Sequence, residues 1–564
     1  MTISKAAEIE IISALFFSVA EQMRRTLVRT AFNAVIYEVL DFGISIADAT
    51  GRMVAEAAGI TSFIGGNDYA LKMLLQHMDI ASLKPGDVVM LNYPYWNSAH
   101  MADALLMSPL FIDGGERPDM YLCVRAHWLD IGAKDAGYVI DSTDIHQEGI
   151  ILPGVRIIKG GELDVDLWRV LEANSRLPEA IKGDFGAQVA CLRTGEKGVR
   201  DIFRKYGKDR VYAAIDAFFA HANEKTLAAL RKLPKGTWSA EEWLDDDGIT
   251  DTPIKMAVRV TIAEDRMTVD YNGSDPQVAG PVNVPFGSTI SMAKTYFKYL
   301  TSPDAPSNHG NYMALDVKCE PGNLFHAVYP AATYMPWTHT VAFEMIAKAL
   351  APVIDWLPAS SGGDEPGFMA YGVHHRTGKT FVTSNNEGIG WGATLRHDGA
   401  TALQHPATST VRNTPIEVLE RQSNIFHEKL ELIPDSGGIG QHRGGLGIER
   451  IVHMVSETTI ISMKKKTKTG GWGLNGGKPS PVNNHMVVWP GEPREKTVGM
   501  YRAHMKAGER FLNYSAGGAG WGKPAQRDPQ AAEYDLRNGY VTPEGDAADA
   551  LGVAAKIKTV GSKE

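Results

Sequence analysis

Two histidines in the first quarter of the chain each carry an aspartate three residues on, His100 with Asp103 and His127 with Asp130, and Asp41 precedes them. An H-x-x-D pair holds an imidazole and a carboxylate within about one turn of each other, so both can converge on one divalent cation, or the carboxylate can orient the ring. Neutral imidazole nitrogen with carboxylate oxygen suits zinc first, and manganese or iron where water fills a larger shell. A cation so held polarises a carbonyl or phosphoryl oxygen and lowers the pKa of water. His127 and an adjacent carboxylate such as Asp130 are the residues assigned to catalysis and proton transfer. Spacing alone leaves a second reading open: among 17 histidines, two such pairs also arise by coincidence or as hydrogen-bonded polar pairs near strand ends. Glu38, Asp144, His146 with Glu148, and His374 with His375 are weaker candidates, read as surface or hydrogen-bonded residues.

The elements that must position these groups are visible in the pattern. Residues 5–36 place Ile12, Leu15, Phe16, Val19, Met23 and Leu27 at helical spacing, with arginines on the other face, and Asp41 follows that helix. Residues 87–94 and 119–128 are short apolar runs bounded by Pro, Gly and Asp, and read as strands that deliver polar residues at their C-terminal ends. His127 lies in the second strand, and His100 follows the first through an Asn/Ser/Ala loop. Long helices are expected over 199–231, with a boundary at 232–236. Segment 255–273 alternates and breaks at 263–266, which signals a hairpin. Beyond about residue 420 glycine is dense in 437–447, 470–477 and 517–522, read as a turn-rich β region. The expected fold class is therefore mixed α and β (α+β), a large multi-part chain. Its expected parts are an N-terminal metal-site region (1–235), a central α/β region (236–420) and a Gly-rich, β-rich C-terminal region (421–564).

Composition removes several functions. With 57 basic against 66 acidic residues the formal charge is -9, and no basic stripe alternates with aromatics, so nucleic acid is not an expected partner. The short cluster Lys464, Lys465, Lys466 and Lys468 reads as a solvated face. Three cysteines, Cys123, Cys191 and Cys319, without any CxxC, exclude a disulfide framework and a thiolate zinc knuckle and suit a reducing cytoplasm. The apolar stretch 11–20 is flanked by Glu8, Glu10, Glu21 and three arginines, so it reads as a buried amphipathic helix and not as a signal or membrane anchor. Counting back from Lys478 puts Trp472 where the first glycine of a phosphate loop must stand, and Pro479 replaces Ser/Thr. Gly388, Gly390 and Ala393 match a dinucleotide fingerprint, but the LRHDG that follows does not read as a helix. Ser291-x-x-Lys294 is read as structural. The chain alone is expected neither to bind nor to hydrolyse ATP appreciably.

The stretch LVRTAFNAVIYEVLDFGISIADATGRMVAEA, followed in order by PGDVVMLNYPYWNSAHMAD, AHWLDIGAKDAGY, NSRLPEAIKGDFGAQVA, GPVNVPFGST, DSGGIGQHRGGLGIER and GGAGWGKPAQRDP, resembles the hydantoinase B and oxoprolinase family, which includes ketone carboxylase subunits. The resemblance covers nearly the whole chain. It implies a cation bound by Asp41, His100, Asp103 and His127, the set reached from spacing, and leaves Asp130 as a suggestion from spacing alone. It also implies a partner resembling hydantoinase A that binds ATP and Mg²⁺ and makes a phosphorylated intermediate for this subunit to complete. One departure lies beside the ligands: the family's usual NDPY-GG is Asn92, Tyr93, Pro94, Tyr95, Trp96, Asn97 and Ser98 here, and Gly132 is followed by Ala133.

Three functions follow. The first is ATP-dependent ring opening of a cyclic amide of the hydantoin, lactam or oxoproline type. The second is ATP-dependent carboxylation of a ketone with bicarbonate, for which Tyr93, Tyr95, Trp96 and Trp128 offer an apolar lining, although such residues equally serve core packing. The third is a structural subunit without chemistry of its own.

Overall fold

The computed structural model describes residues 4–543 apart from 58, 64, 335–337, 364–366, 489–495 and 498. The chain folds as two compact units, one formed by residues 1–237 and 259–339, the other by 238–258 and 340–564. The mixture of helices and strands is that of the expected α+β class.

In the first unit, helix α1 (Lys5–Thr30) is started by Ser4, whose side chain accepts from the backbone N–H of Ala7, and it buries Ile12, Phe16, Val19, Ala20, Met23 and Leu27 along one stripe. The larger of these side chains contribute about 1.5–3 kcal/mol each on burial. The stripe packs with α6 (Pro178–Tyr206), after the one-turn α2 (Ala34–Tyr37), α3 (Gly66–His77), the one-turn α4 (Pro94–Asn97) and α5 (Val165–Asn174). Gly195 and Gly198 make that crossing close, because a Cβ there would stand 2.5 and 2.6 Å from Met23 and Val19. Helices α7 (Lys208–Leu230) and α8 (Phe286–Thr301) complete the set.

These helices flank a seven-stranded sheet of β1 (Phe42–Asp48), β2 (Met53–Ala57), β3 (Val88–Leu91), β4 (Asp103–Leu110), β5 (Met120–His127), β6 (Pro153–Lys159) and β7 (Glu162–Leu163). Its spatial order is β2-β1-β5-β4-β3-β6-β7 and every pairing is antiparallel. Side chains alternate across β5: Leu122, Val124 and Ala126 enter the core that contains α1 and α6, while Tyr121 and Cys123 enter the one that contains α3. Arg125 and His127 have the parity of the second set. The predicted hairpin is present, with β10 (Met267–Asp270) antiparallel to the end of β9 (Ile254–Ile262) and parallel to β11 (Leu315–Lys318). Strand β8 (Gly236–Leu244) precedes them.

In the second unit, which helix α9 (Thr338–Leu350) enters, β12 (Phe368–Val373), β13 (Thr380–Asn385), β16 (Thr458–Met463) and β19 (Met500–Met505) form one sheet in the order β13-β12-β16-β19. A second sheet has the order β14-β15-β20-β17-β18, built from β14 (Ile425–Leu432), β15 (Ile448–Met454), β17 (Asn484–Val488), β18 (Lys496–Thr497) and β20 (Arg510–Tyr514). Phe368, Ile425, Val452, Ile460 and Phe511 are among the residues of their common core. Helices α10 (Ile416–Gln422) and α11 (Pro529–Arg537) are peripheral.

Two expectations are corrected here. The dense glycines are not mainly turns: Gly390, Gly438, Gly444, Gly445 and Gly518 are absent from the residues with positive φ. They lie in extended segments outside regular sheet that hydrogen-bond side by side, Gly390 N–H to Ala516 O at 3.0 Å, Gly438 N–H to Gly518 O at 2.7 Å and Gly518 N–H to Gly445 O at 2.9 Å. The lysine cluster is not a solvated face either. Lys464, Lys465 and Lys466 are buried; Lys464 donates to Asn513 at 2.7 Å, Lys465 pairs with Asp246 and Lys466 with Glu242 at 3.2 Å. The acidic run around Asp245 and Asp246 supplies the partners that make burial tolerable.

The motifs set aside in the sequence stay structural. Lys294 donates to both oxygens of Asp68 at 2.8 Å and to Gly65 O at 3.0 Å, while Ser291 donates to Ser62 O at 2.6 Å. No helix follows Ala393.

Candidate metal centre

Three adjacent strand ends bring the selected residues together. Asp103 is the first residue of β4 and pairs with His127, the last of β5. On the other side of β5, Phe42 of β1 pairs with Ala126, which leaves Asp41 beside His127, and the His127 N–H donates to Asp41 O at 3.3 Å. Asp41 follows Leu40, whose left-handed backbone (φ 68°) turns the chain from α2 into β1. His100 stands in the loop before β4, where Ser98 is also left-handed (φ 65°) and Asp103 N–H closes back onto His100 O at 3.1 Å.

His127 Nδ1 lies 3.2 Å from Asp103 Oδ1 and 3.9 Å from Asp41 Oδ2, and His100 Nε2 lies 3.5 Å from Asp103 Oδ2. Donors about 2.1 Å from one tetrahedral cation stand about 3.4 Å apart, so these edges fit such an ion. His100, Asp103 and His127 all offer atoms within 4.8 Å of one another, and all three are buried. His100 Nδ1 is buried with no hydrogen-bond partner, an orphaned polar atom in a site of otherwise engaged groups. Burial holds the His100 imidazole down at about 4, against the pull of Asp103, so the ring is neutral and has a lone pair to give. At His127 burial, the largest influence, disfavours the charged ring, yet the hydrogen bond from Asp103 and the charges of Asp41 and Asp103 outweigh it and raise the pKa. The residues thus fit a divalent cation in both spacing and donor type.

A supporting layer fixes these groups. Asn33 Nδ2 donates to His127 O at 3.0 Å, and Asp184 of α6 accepts from Phe32 N–H at 2.8 Å and Asn33 N–H at 3.1 Å. Burial raises the Asp184 carboxyl to about 6. Gln188 of the same helix donates to Ala104 O and Val124 O, and accepts from Trp128 at 2.9 Å. Asn97 Nδ2 donates to Asp103 O at 2.6 Å, and Asn97 is itself held by the buried Arg125, whose Nη2 donates to the Asn97 carbonyl and side chain.

Asp130 is placed differently. Its carboxylate accepts from the backbone and guanidinium of Arg176, the latter at 2.7 Å, and from Gly132 N–H at 3.2 Å. It anchors the loop after β5 and is not among the three converging groups. The aromatic residues divide as packing: Trp128 is buried in the core with α1 and α6, and Trp96 stacks on His77 at 4.2 Å. Among the weaker candidates, His374 Nε2 donates to Arg421 O at 3.1 Å and His375 Nδ1 to Asn424 at 3.0 Å, in the other unit. Asp144 caps the turn containing His146.

Two aromatic neighbours were not marked by spacing. Tyr334 stacks on His100 at 5.1 Å, and Tyr138 stacks on His127 at 5.6 Å. Neither has a motif signal; Tyr138 lies in an irregular loop and Tyr334 comes from a segment more than 200 residues further on than either ligand histidine. Glu148 ties that distant segment down, accepting from Ser142 Oγ at 2.8 Å, Thr333 N–H at 2.8 Å and Tyr334 N–H at 3.0 Å.

Burial pushes the Glu148 carboxyl up to about 8 although these hydrogen bonds pull the other way. The folded chain therefore holds this proton more tightly than the unfolded one does, and the associated stability is complete below the ordinary carboxyl range and lost as pH rises toward 8. Glu148→Gln keeps the accepting oxygen without the charge. The thermal midpoint of the variant, followed by calorimetry, should fall less than that of the parent between about pH 5 and 8; parallel slopes would show that Glu148 is not the group responsible.

The sequence profile of the hydantoinase B/oxoprolinase family matches residues 5–524. The chain belongs to this family. It is 26% identical over 95% of its length, and 93% of the relative's, to one subunit of a putative D-/L-hydantoinase of a Pseudomonas species. Its fold is that of the ATP-dependent caprolactamase from Pseudomonas jessenii, with a TM-score of 0.86, 23% identity and coverage of 97% of this chain and 96% of that one. Acetone carboxylase in its nucleotide-free structure has the same fold at TM-score 0.86 and 16% identity, over 99% of this chain and 84% of that one. The hydantoinase relative is named as a subunit, which places this family member among proteins that act with a companion chain. Among the described residues no helix is long and apolar enough to cross a membrane.

Proposed function

We propose that this chain is the metal-bearing catalytic subunit of an ATP-dependent cyclic amide hydrolase of the hydantoin, lactam or oxoproline type, working in the cytoplasm with a separate ATP-binding subunit resembling hydantoinase A. The observation that carries the reading is the convergence of His100, Asp103 and His127, with Asp41 beside them, at one end of β1, β5 and β4 in a chain of this family. A divalent cation held there, zinc first and manganese or iron as alternatives, would supply Lewis acidity toward a carbonyl or phosphoryl oxygen and a lower pKa for water.

The chain's own residues prepare that chemistry. Asp103 bridges the two imidazoles, at 3.2 Å from His127 and 3.5 Å from His100, and keeps both nitrogens turned to one point. Burial of all three excludes bulk water, so charge placed there is screened weakly. His127 shares a proton with Asp103 and is the proton-handling residue within the cluster. Asp130, assigned to proton transfer from spacing, acts through the loop it pins to Arg176. The neutral His100 is a ligand and not an acid at pH 7. ATP chemistry falls to the partner, because the glycine segments here pack on one another's backbones and present no phosphate-binding loop followed by a helix.

The test is product analysis of the complex purified with its partner, supplied with ATP, labelled bicarbonate, and panels of cyclic amides and of ketones. Ring-opened product without retained label is expected. Label retained in a new acid from a ketone would replace this reading with the carboxylase one. ATP turnover with neither product would direct the search to other substrates and revive a structural role for this subunit.

A further inference from the structure

Tyr138 stands where a substrate oxygen has to be received. Its ring is buried, face to face with His127 (5.6 Å, 17°) and edge-on to both His100 (5.3 Å, 69°) and Tyr334 (5.5 Å, 80°). These contacts leave the ring little freedom to turn. Its hydroxyl lies 3.3 Å from His100 Nε2. That nitrogen faces Asp103 Oδ2 at 3.5 Å, so it is the atom of His100 aimed into the cation site.

An imidazole nitrogen has one lone pair. A neutral His100 can accept the Tyr138 proton on Nε2 or give that lone pair to a cation, and it cannot do both. A tetrahedral site has edges of about 3.4 Å, so a hydroxyl 3.3 Å from one ligand atom is within hydrogen-bond reach of a group in the neighbouring position. We propose that the Tyr138 hydroxyl is a substrate-facing hydrogen-bond donor of this centre. It contacts the carbonyl oxygen of the amide or activated acyl group, and its bond to that oxygen tightens as negative charge develops during attack. Tyr334 is not equivalent: it stacks on His100, and its hydroxyl donates away to Gly137 O at 2.8 Å. The inference deepens the cation-site reading and rests on it.

Tyr138→Phe keeps the ring and removes only the donor. The experiment uses the assembled complex loaded with cobalt(II), whose visible absorption reports the site, and acetohydroxamate as the oxygen probe. Cobalt affinity, measured by competition with a chelator, is expected to stay within about threefold of the parent. Acetohydroxamate affinity is expected to fall about 10- to 100-fold, the range for one hydrogen bond to a charged oxygen. On the substrate found by product analysis, kcat should fall about 100-fold with a smaller change in KM, as for loss of one oxyanion donor. Unchanged acetohydroxamate affinity would overturn the proposal. So would weakened cobalt binding with intact acetohydroxamate affinity, since the hydroxyl would then only position His100. A parent complex that takes up no cobalt would sink the cation reading and this proposal together. Neither probe requires the substrate to be a cyclic amide, so the binding result survives a failure of that assignment.

Discussion

His127→Ala in the assembled enzyme is expected to release the divalent ion and lower turnover by about 10³-fold or more, with a clear loss of thermal stability; His100→Ala should match it in activity and metal content but lose much less stability. The activity loss follows from removing a ligand and, with it, the charge stabilisation that a preorganised electrophile supplies. The difference in stability follows from protonation. His127 is the imidazole whose charged form Asp103 and Asp41 favour. Deleting it leaves two carboxylates beside each other without that partner, and breaking a buried pair in this way costs about 3–5 kcal/mol. His100 is neutral and its loss uncovers no charge. Metal analysis, turnover and calorimetry on both variants give the answer. Full turnover in a metal-free His127→Ala complex would remove the site from the chemistry, and equal destabilisation by the two variants would show that His127 carries no charge in the fold.

The ligand set was legible because it is compact in sequence and because each residue ends a strand. A histidine closing the apolar run 120–127 and an aspartate opening 103–110 are anomalies of pattern, visible before any pairing is known. The pairing explains them: β4 and β5 are neighbours, and Asp103 and His127 are partners across the ladder. Asp130 shared the spacing of Asp103 but not its position, because the chain has left the strand by then and turns at Gly132 toward Arg176. Spacing encodes local geometry, and only the strand end makes that geometry a site. Tyr138 and Tyr334 were not legible because an irregular loop and a segment more than 180 residues away on the chain meet only through Glu148 and backbone hydrogen bonds. The lysine cluster failed for a related reason. Charge signals exposure only until its counter-charge is found, and Asp245, Asp246 and Glu242 lie more than 200 residues earlier.

The glycines carry the second large expectation. A turn-rich region tolerates many Gly→Ala changes, whereas a layer of touching backbones does not. Gly444→Ala would set its Cβ 1.7 Å from Gly518 O, and Gly518→Ala would set one 1.9 Å from Trp391 O. Both obstacles are carbonyls already fixed by neighbours: Gly518 O accepts from Gly438 N–H at 2.7 Å, and Trp391 O from Gly445 N–H at 2.9 Å. A flexible side chain could swing away at a cost of about 1–3 kcal/mol. A hydrogen-bonded main chain must instead break its bonds and separate the segments, so each variant should lose more than about 4 kcal/mol or fail to accumulate as folded protein. Gly186→Ala is the control: it lies exposed in α6 with nothing within 4 Å of the added carbon, and replacing glycine by alanine in a helix interior should add about 0.8–1 kcal/mol. Denaturant or thermal unfolding of the three variants separates the two descriptions of the C-terminal region. If Gly444→Ala unfolded within about 1 kcal/mol of the parent, the segments would have room between them, and the glycine density would again be a matter of turns.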